Sequence, residues 1–220
     1  MIRFVAVALL VLAFASPAWS QADSGFAKEG GFAAVSFLPG FTFDGVTFDG
    51  QTIYKQEDGD EFAILPRLDT RNLIRLTLGY RYRRASIELS YERTRHTGTF
   101  LDAPSQATFQ AVNLDGRLFF LTRSRVQPHL LLGASLPFFK VTDGSVLDPD
   151  VGDATFKGYG VNSEAGVTMY AHRRFGVSVG YNYRFLWFDR MTGVSKTNFK
   201  LRPRFHETSG TIVVTSHIIF

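Results

Sequence analysis

The side chains of this 220-residue chain that could do chemistry are mainly arginines and acidic residues that recur at every second position. Arg75 and Arg81 alternate with apolar residues in one segment, and Glu88 and Glu92 do so in the next. Five arginines and five acids share this pattern: Arg75, Arg81, Arg83, Glu88, Glu92, Asp115, Arg117, Glu164, Arg184 and Glu207. Period-two spacing places such residues on one face of a strand, and buried charges require partners. We therefore predict an internal charge-paired network, with Arg75 and Arg81 close to Glu92 and Glu88.

Histidine and hydroxyl residues do not assemble into a recognisable catalytic set. Cysteine is absent, which excludes thiol nucleophiles, zinc-thiolate sites and disulfides. If the strands alternate regularly, His129 and His217 lie on the same face as the charges, whereas Ser163 and Ser216 lie on the opposite, apolar face. A serine nucleophile needs a base beside it, and none of these strands carries both on its apolar face. We therefore predict no catalytic residue, no cofactor and no metal centre.

The first part of the chain has the layout of a secretory signal. After a positively charged start, residues 4–15 form an apolar run, which is followed by a proline and by small residues at alternate positions. The run is too short to span a bilayer as a helix, and cleavage after Ser20 or Ala22 satisfies the rule of small residues at the cleavage site. We predict a signal peptide over residues 1–22 and a mature domain over residues 23–220.

The elements that carry the charged residues are predicted β-strands. Between Arg71 and Arg83, large apolar residues occupy the even positions from Ile74 to Tyr82, while polar residues and glycine occupy most odd ones. Such alternation indicates a strand with one apolar face. The pattern recurs, more weakly at the two ends of the mature chain, and predicts eight strands: residues 31–43, 71–83, 85–96, 112–120, 129–138, 159–169, 175–187 and 207–220. No mature segment is apolar over about eighteen residues, so no transmembrane helix is predicted.

The connections between the predicted strands alternate in length. Three are short turns, at residues 83–84, 122–127 and 172–174. Four are long, at residues 44–70, 98–106, 141–157 and 189–205. Short turns on one rim and long loops on the other are typical of outer-membrane barrels, whose short turns are periplasmic. An even number of strands then places both termini of the mature chain on the periplasmic side.

The face that meets lipid distinguishes a membrane barrel from a soluble one. A lipocalin-like barrel also alternates, but it keeps its apolar residues inside around a ligand. Here aromatic residues such as Tyr80, Tyr183 and Trp187 lie near the ends of the apolar faces, as in an interfacial girdle. The polar faces carry small residues and charges of both signs, which suit a narrow interior. These features favour an all-β, antiparallel, up-and-down transmembrane barrel, with the lipocalin-like barrel as the alternative.

The predicted mature chain resembles the small OmpA/OmpX-type outer-membrane barrels and, more weakly, the OmpW-like barrels. The signal peptide, the eight strands, the alternation of short and long connections and the final aromatic residue Phe220 carry this resemblance. It implies a monomeric protein of the bacterial outer membrane, in contact with membrane lipids and lipopolysaccharide, whose Phe220 is recognised by the barrel-assembly machinery. The chain ends at its predicted barrel, so the peptidoglycan-binding domain of OmpA is not expected. The shared features specify an architecture and no particular activity.

Charge clusters in the long connections have two interpretations each. The acidic residues form two groups: Asp58, Asp60 and Glu61, and then Asp148, Asp150 and Asp153. Their spacing suits calcium ligands, although no complete calcium-loop pattern is present and solvated turns are commonly rich in Asp and Gly. The basic residues lie in the fourth long connection: Lys196, Lys200, Arg202 and Arg204. They either contact lipopolysaccharide phosphates or pair with the acidic loops.

Three functions are compatible with this sequence. The balanced interior charges favour a structural or interaction role, with a lumen filled by its own side chains. A narrow conduit for small or hydrophobic solutes is the alternative, which the OmpW-like resemblance and apolar loop residues such as Phe62 and Ile64 support. A lipid A-modifying enzyme is less favoured, because no suitable nucleophile and base share the lipid face. The net charge of +4 is small and dispersed, so no nucleic-acid partner is expected.

Overall fold

The segments in which apolar and polar residues alternate form long antiparallel strands in the folded chain. The protein is described by a computed structural model that covers residues 25–41, 67–68, 71–100, 103–142, 154–192 and 198–220. This part of the chain forms eight long strands: β1 Gly30–Phe41, β2 Arg71–Tyr82, β3 Ala85–Phe100, β4 Ala103–Phe119, β5 Val126–Thr142, β6 Ala154–His172, β7 Phe175–Thr192 and β8 Asn198–Ile219. A two-residue strand, Arg67–Leu68, pairs with Gly98 and Thr99 of β3. Among the described residues, no helix is long and apolar enough to cross a membrane.

The strands close into a ring. Each long strand pairs with its neighbours in the chain, and β8 also pairs with β1. Ala34 of β1, for example, lies opposite Thr77 of β2 on one side and His217 of β8 on the other. Closure leaves no long strand with a free edge, which a bilayer requires because it offers no water to unpaired backbone groups. The predicted all-β antiparallel barrel of eight strands is confirmed.

The strands extend beyond the predicted boundaries. Two connections that were predicted as loops consist largely of paired strand, so these two predictions are wrong. Most of residues 189–205 is paired strand, since β7 continues to Thr192 and β8 begins at Asn198. Likewise β3 reaches Phe100 and β4 begins at Ala103, within the predicted connection 98–106. Backbone pairing continues here without a clear apolar face, because a hairpin that rises above the membrane meets water on its outer side. Alternation therefore marks only the membrane-embedded part of each strand.

Tight turns form one rim, which we call the short-turn end; the opposite rim is the long-hairpin end. Arg83 and Leu121 adopt positive φ angles of 50° in two of these turns, a conformation that tight hairpin turns require. Because Arg83 lies in the turn, its side chain does not follow the alternation of the strand. The guanidinium of Arg83 lies over the ring of Tyr82, 5.1 Å from the ring centre. The prediction that Arg83 points into the barrel is wrong for this reason. The side chain of Glu207 lies outside the described residues.

The outer surface of the barrel is a continuous apolar band. Leu78, Leu89 and Leu114 lie side by side on neighbouring strands, and Leu89 is 55% exposed. The members of the band are large apolar side chains that all point away from the lumen, including Val35, Ile74, Leu76, Tyr80, Ile87, Tyr91, Leu118, Leu130, Leu132, Leu136, Val179 and Tyr181. A patch of this extent would be severely unfavourable in water, and it suits the hydrocarbon of a bilayer.

We expect Leu89→Arg to lower the free energy of unfolding by about 2–4 kcal/mol, the cost of a basic side chain on the lipid face near the bilayer midplane. Leu89 is the fifth residue of β3 and lies in the apolar band between Leu78 and Leu114. The measurement is reversible urea unfolding in lipid vesicles. Leu121→Arg is the matched control, because Leu121 is 69% exposed in a short turn and its replacement should cost little. Equal losses in the two variants would contradict the assignment of the lipid face.

Candidate functional site in the barrel interior

Three arginines and three glutamates form one connected cluster inside the barrel, which we call the ion cluster. At one end, Arg184 of β7 donates two hydrogen bonds to Glu92 of β3, one of them 2.8 Å long from Nη2 to Oε2. Arg75 of β2 donates from Nε to the same Oε2 at 3.0 Å. Glu92 is completely buried. Its carboxylate is therefore satisfied by two guanidinium groups from two different strands.

The ion cluster continues towards the short-turn end. Nη1 of Arg75 lies 3.6 Å from Oε2 of Glu164 on β6. Nη1 of Arg117 on β4 donates to Oε1 of Glu164 at 3.1 Å. Arg117 also donates from Nε and Nη2 to the two carboxylate oxygens of Glu88 on β3, at 2.8 and 3.1 Å. The order of contacts is thus Arg184, Glu92, Arg75, Glu164, Arg117 and Glu88, with equal numbers of positive and negative charges.

The ion cluster crosses the lumen and does not merely line its wall. Arg184 on β7 and Glu92 on β3 stand on opposite sides of the ring, with three strands between them in each direction. Side chains of an eight-stranded barrel are long enough to meet across its axis. Alternation places each of these residues inward, and charge pairing then fixes which partners meet, because an unpaired buried charge is very costly.

Asp115 of β4 is held by amides. It accepts a hydrogen bond of 3.1 Å from Nδ2 of Asn162, which also donates to Asn113 at 3.0 Å. Asn113 in turn donates to Ser90. Gly133 lies opposite Asp115 in the sheet, and a Cβ atom there would come within 1.9 Å of the aspartate Oδ1. The glycine is therefore needed for Asp115 to occupy this position.

Arg81 of β2 does not pair with Glu88, so this predicted ion pair is wrong. Its Nη2 donates to Oε1 of Gln127 at 2.6 Å, and its Nη1 donates to the hydroxyl of Tyr170. Its guanidinium carbon lies 3.8 Å from the ring centre of Phe119. The register explains the difference, because Glu88 lies beside Gly79 and reaches Arg117 on its other flank.

His129 of β5 is the one described residue that combines with hydroxyls and a carboxylate in the manner of a catalytic relay. Its Nδ1 lies 3.1 Å from the hydroxyl of Thr168, and its Nε2 lies 3.3 Å from Glu164. However, Nη1 of Arg117 also points to Nε2, at 2.8 Å, and arginine can only donate. Nε2 is then the acceptor and Nδ1 carries the proton, so the imidazole has no free lone pair with which to deprotonate Thr168.

Sequence reasoning missed an apolar plug at the long-hairpin end of the lumen. Along β2 and β7 it follows directly beyond Arg75 and Arg184. In the sheet, Phe139 lies opposite both Phe109 and Phe156, and its ring centre is 6.2 Å from that of Phe156. The plug consists of seven side chains that are at most 1% exposed: Leu38, Leu73, Phe109, Phe139, Phe156, Leu186 and Phe188. In this region both the inward and the outward faces of the strands are apolar, so the sequence does not alternate. Runs of aromatic residues are the sequence feature that could have indicated the plug.

A second missed element is the segment that precedes β1, Gly25–Glu29, which we call the N-terminal strap. Its Phe26 N–H donates to the carbonyl of Thr122, in the turn after β4. Its Lys28 N–H donates to the carbonyl of Arg173, in the turn after β6. Ala27 between them is buried against Tyr170 and Ile219. The strap therefore runs across the short-turn end, and nothing periodic in the sequence indicates it.

The predicted interior residues occupy the lumen, and most other predictions concern undescribed parts of the chain. Those with inward, buried side chains are Arg75, Arg81, Glu88, Glu92, Asp115, Arg117, Glu164 and Arg184. For Lys200, Arg202 and Arg204 the backbone is placed in β8 and the side chains lie outside the described residues, as does all of Lys196. The signal peptide and both acidic groups of the long connections are likewise outside them. Among the described residues, no cluster of His, Asp and Glu suits a metal ion.

Comparison with known proteins assigns the chain to a family. A model of the outer membrane protein beta-barrel domain matches residues 6–202. The chain belongs to this family. No curated protein sequence matches it. The solved structures to which it is similar include Neisserial surface protein A, with a TM-score of 0.56 and 15% identity over 87% of this chain and 97% of that one. They also include the outer membrane protein OprG from Pseudomonas aeruginosa, with a TM-score of 0.54 and 14% identity over 88% and 98%.

Membership in the outer membrane protein beta-barrel family places the chain in the outer membrane of a Gram-negative bacterium. The short-turn end, with the N-terminal strap, then faces the periplasm, and the long hairpins face outward. The two structural similarities are at low identity and extend only to the fold.

Proposed function

We propose that this protein is a closed outer-membrane barrel that acts as a structural and interaction element and conducts no solute through its lumen. The observation that carries the proposal is the ion cluster, which spans the lumen from β7 to β3. A permeating ion would have to separate pairs such as Arg184 with Glu92, both of which are completely buried. Opening such a pair leaves buried charges without partners, at a cost of about 3–5 kcal/mol for each broken pair.

Two further layers support closure. On the outer side of the ion cluster, the apolar plug offers no hydrogen-bonding group to a hydrated solute, so entry would require dehydration. On the periplasmic side, the N-terminal strap is fastened to two turns by backbone hydrogen bonds. The ring centre of its Phe26 lies 6.4 Å from that of Tyr170, and the guanidinium carbon of Arg125 lies 5.3 Å from the Phe26 ring centre. A solute would meet three barriers of different chemistry in series.

In a closed barrel, the outer hairpins are the surface that can bind partners. The hairpin of β7 and β8 carries Lys200, Arg202 and Arg204 at two-residue spacing on β8. We propose that they contact lipopolysaccharide phosphates together with Lys196, because clustered cations bind anionic lipid headgroups. No enzymatic step is part of this proposal, since the tautomer of His129 that Arg117 favours is unsuited to general-base catalysis.

Solute entry into liposomes tests the proposal. Vesicles that contain the folded protein should admit small sugars and amino acids no faster than empty vesicles, whereas vesicles with a wide porin should admit them rapidly. Folding is checked in parallel by the heat-dependent shift in gel mobility that barrels show. Faster entry that scales with the amount of folded protein would overturn the closed-barrel proposal.

A conduit for small hydrophobic solutes is the second candidate, and the apolar plug is the observation that favours it. Phe109, Phe139 and Phe156 would contact a hydrophobic solute that enters from the outer side, and such a solute needs no hydrated path. Uptake of a fluorescent apolar dye into the same liposomes separates the two functions. Uptake at the rate of protein-free vesicles removes the conduit, and faster uptake that Phe156→Ala alters would establish it.

A further inference from the structure

Arg81 differs from the other buried arginines in that no carboxylate of the described residues lies within ion-pairing distance of it. Arg75, Arg117 and Arg184 each contact a glutamate of the ion cluster. Arg81 is only 2% exposed, yet its partners are the neutral side chains of Gln127 and Tyr170 and the ring of Phe119. A buried guanidinium without a counter-charge is costly. Among the described residues, no counter-charge is in contact with Arg81.

The guanidinium of Arg81 also has an uncommitted donor. Its Nη1 and Nη2 are engaged, but its Nε has no hydrogen-bond partner among the described residues. Buried donors are nearly always satisfied in native proteins. Arg81 lines an internal cavity of about 30 Å³, which exceeds the volume that a water-sized occupant needs. Hydroxyl groups also line that cavity, and they belong to Ser36, Thr77, Thr168 and Ser178.

We propose that this cavity binds one small monovalent anion, with Arg81 as its counter-charge. The charged side chains that line the cavity are three arginines, Arg75, Arg81 and Arg117, and two carboxylates, Glu88 and Asp115, so the lining carries one net positive charge. A single negative charge balances Arg81, whereas a multivalent anion would be repelled by Glu88 and Asp115, which line the same cavity. A cavity of this size suits a halide or a small carboxylate such as formate. This site goes beyond the proposed structural function and is independent of whether the barrel conducts.

The chain itself offers two competing sources of negative charge, Glu29 and Asp115. Glu29 belongs to the N-terminal strap, is exposed, and acts electrostatically on Arg81 from the periplasmic side. Asp115 lies deeper and accepts its hydrogen bond from Asn162. A free anion and the Glu29 carboxylate have the same chemistry at Arg81, so the experiment must distinguish them. Glu29→Gln removes the internal source and leaves the cavity unchanged.

Two measurements on the full mature barrel test the site. The first is anomalous diffraction from crystals in sodium bromide. We expect one bromide beside Nε of Arg81 in the wild type and in Glu29→Gln, and none in Arg81→Gln. The second is equilibrium unfolding in detergent, with chloride or formate compared with gluconate at constant ionic strength. The equilibrium constant for unfolding should fall by the factor 1 + [anion]/Kd, about threefold at twice the Kd, in the wild type and in Glu29→Gln but not in Arg81→Gln.

Each remaining outcome overturns the proposal. If bromide is absent from the wild type, or remains in Arg81→Gln, Arg81 does not form the site. A bromide peak without any protection in solution identifies an adventitious ion only. Protection that appears only after Glu29 is removed assigns the counter-charge to Glu29 instead. Should Arg81→Gln fail to fold, Arg81→Met replaces it, because methionine removes both the charge and the Nε donor, and an unchanged bromide position in that variant would count against the site.

Discussion

Replacement of Glu92 by glutamine should lower the free energy of unfolding by about 3–5 kcal/mol, which is the cost of breaking a buried ion pair from one side. Glu92 is completely buried and accepts hydrogen bonds from both Arg75 and Arg184. The amide keeps the shape of the side chain but removes its charge and one acceptor oxygen. Arg75 and Arg184 then both lose the charge of the carboxylate that they share. Urea unfolding of the barrel in lipid vesicles, followed by tryptophan fluorescence, measures the loss.

Two further variants show whether the loss comes from the ion cluster. Glu29→Gln makes the same chemical change at an exposed position outside the lumen, and its effect on stability should be small. The double variant Glu92→Gln with Arg184→Gln should lose less than the sum of the two single losses, because residues that contact each other are coupled. Strict additivity would mean that Glu92 and Arg184 do not interact in the folded barrel.

Truncation of the apolar plug should have an effect of similar size. We expect Phe156→Ala to cost about 3–5 kcal/mol, the usual range for a fully buried phenylalanine that leaves a cavity. Phe156 packs against Phe139 and is completely buried. The same unfolding measurement applies. Because the ion cluster below the plug stays intact, this variant should remain non-conducting although it is much less stable.

The adjacent residue to Phe139 provides the control for this prediction. Phe138 lies next to it on β5, points outward and is 37% exposed. In Phe138→Ala, lipid fills the space that the ring vacates, so no cavity forms and the loss should be clearly smaller than in Phe156→Ala. Similar losses would place Phe156 outside the lumen and would invalidate the plug.

Much of the fold was predictable because membrane insertion requires apolar and polar residues to alternate along each strand. Lipid on one side and a narrow polar lumen on the other require alternation at every membrane-embedded position, as between Ile74 and Tyr82. The alternation fails as a predictor where a strand leaves the lipid or ends in a turn. Beyond Asp189, the hairpin of β7 and β8 continues without alternation, because the backbone pairs equally well in water. At Arg83, the turn geometry overrides the strand pattern.

The interior was less predictable than the strands that enclose it. Parity identifies which residues point inward, but the choice of partner depends on register and on contacts across the lumen. Glu88 meets Arg117 because their strands are adjacent on the side away from Arg81. The pair of Arg184 with Glu92 joins residues 92 positions apart, which no local pattern can indicate. The N-terminal strap is a single irregular segment, and only the closed ring reveals that Phe26 and Ala27 cover its mouth.

Single-channel recording in planar bilayers tests the central claim, a lumen closed by the ion cluster, most directly. The folded wild-type barrel, inserted at increasing amounts into a voltage-clamped bilayer, should give no reproducible conductance steps. A variant that lacks Gly25–Glu29 should be equally silent, because the ion cluster and the plug remain. Uniform conductance steps from the wild type, in numbers that rise with the amount of folded protein, would contradict the account.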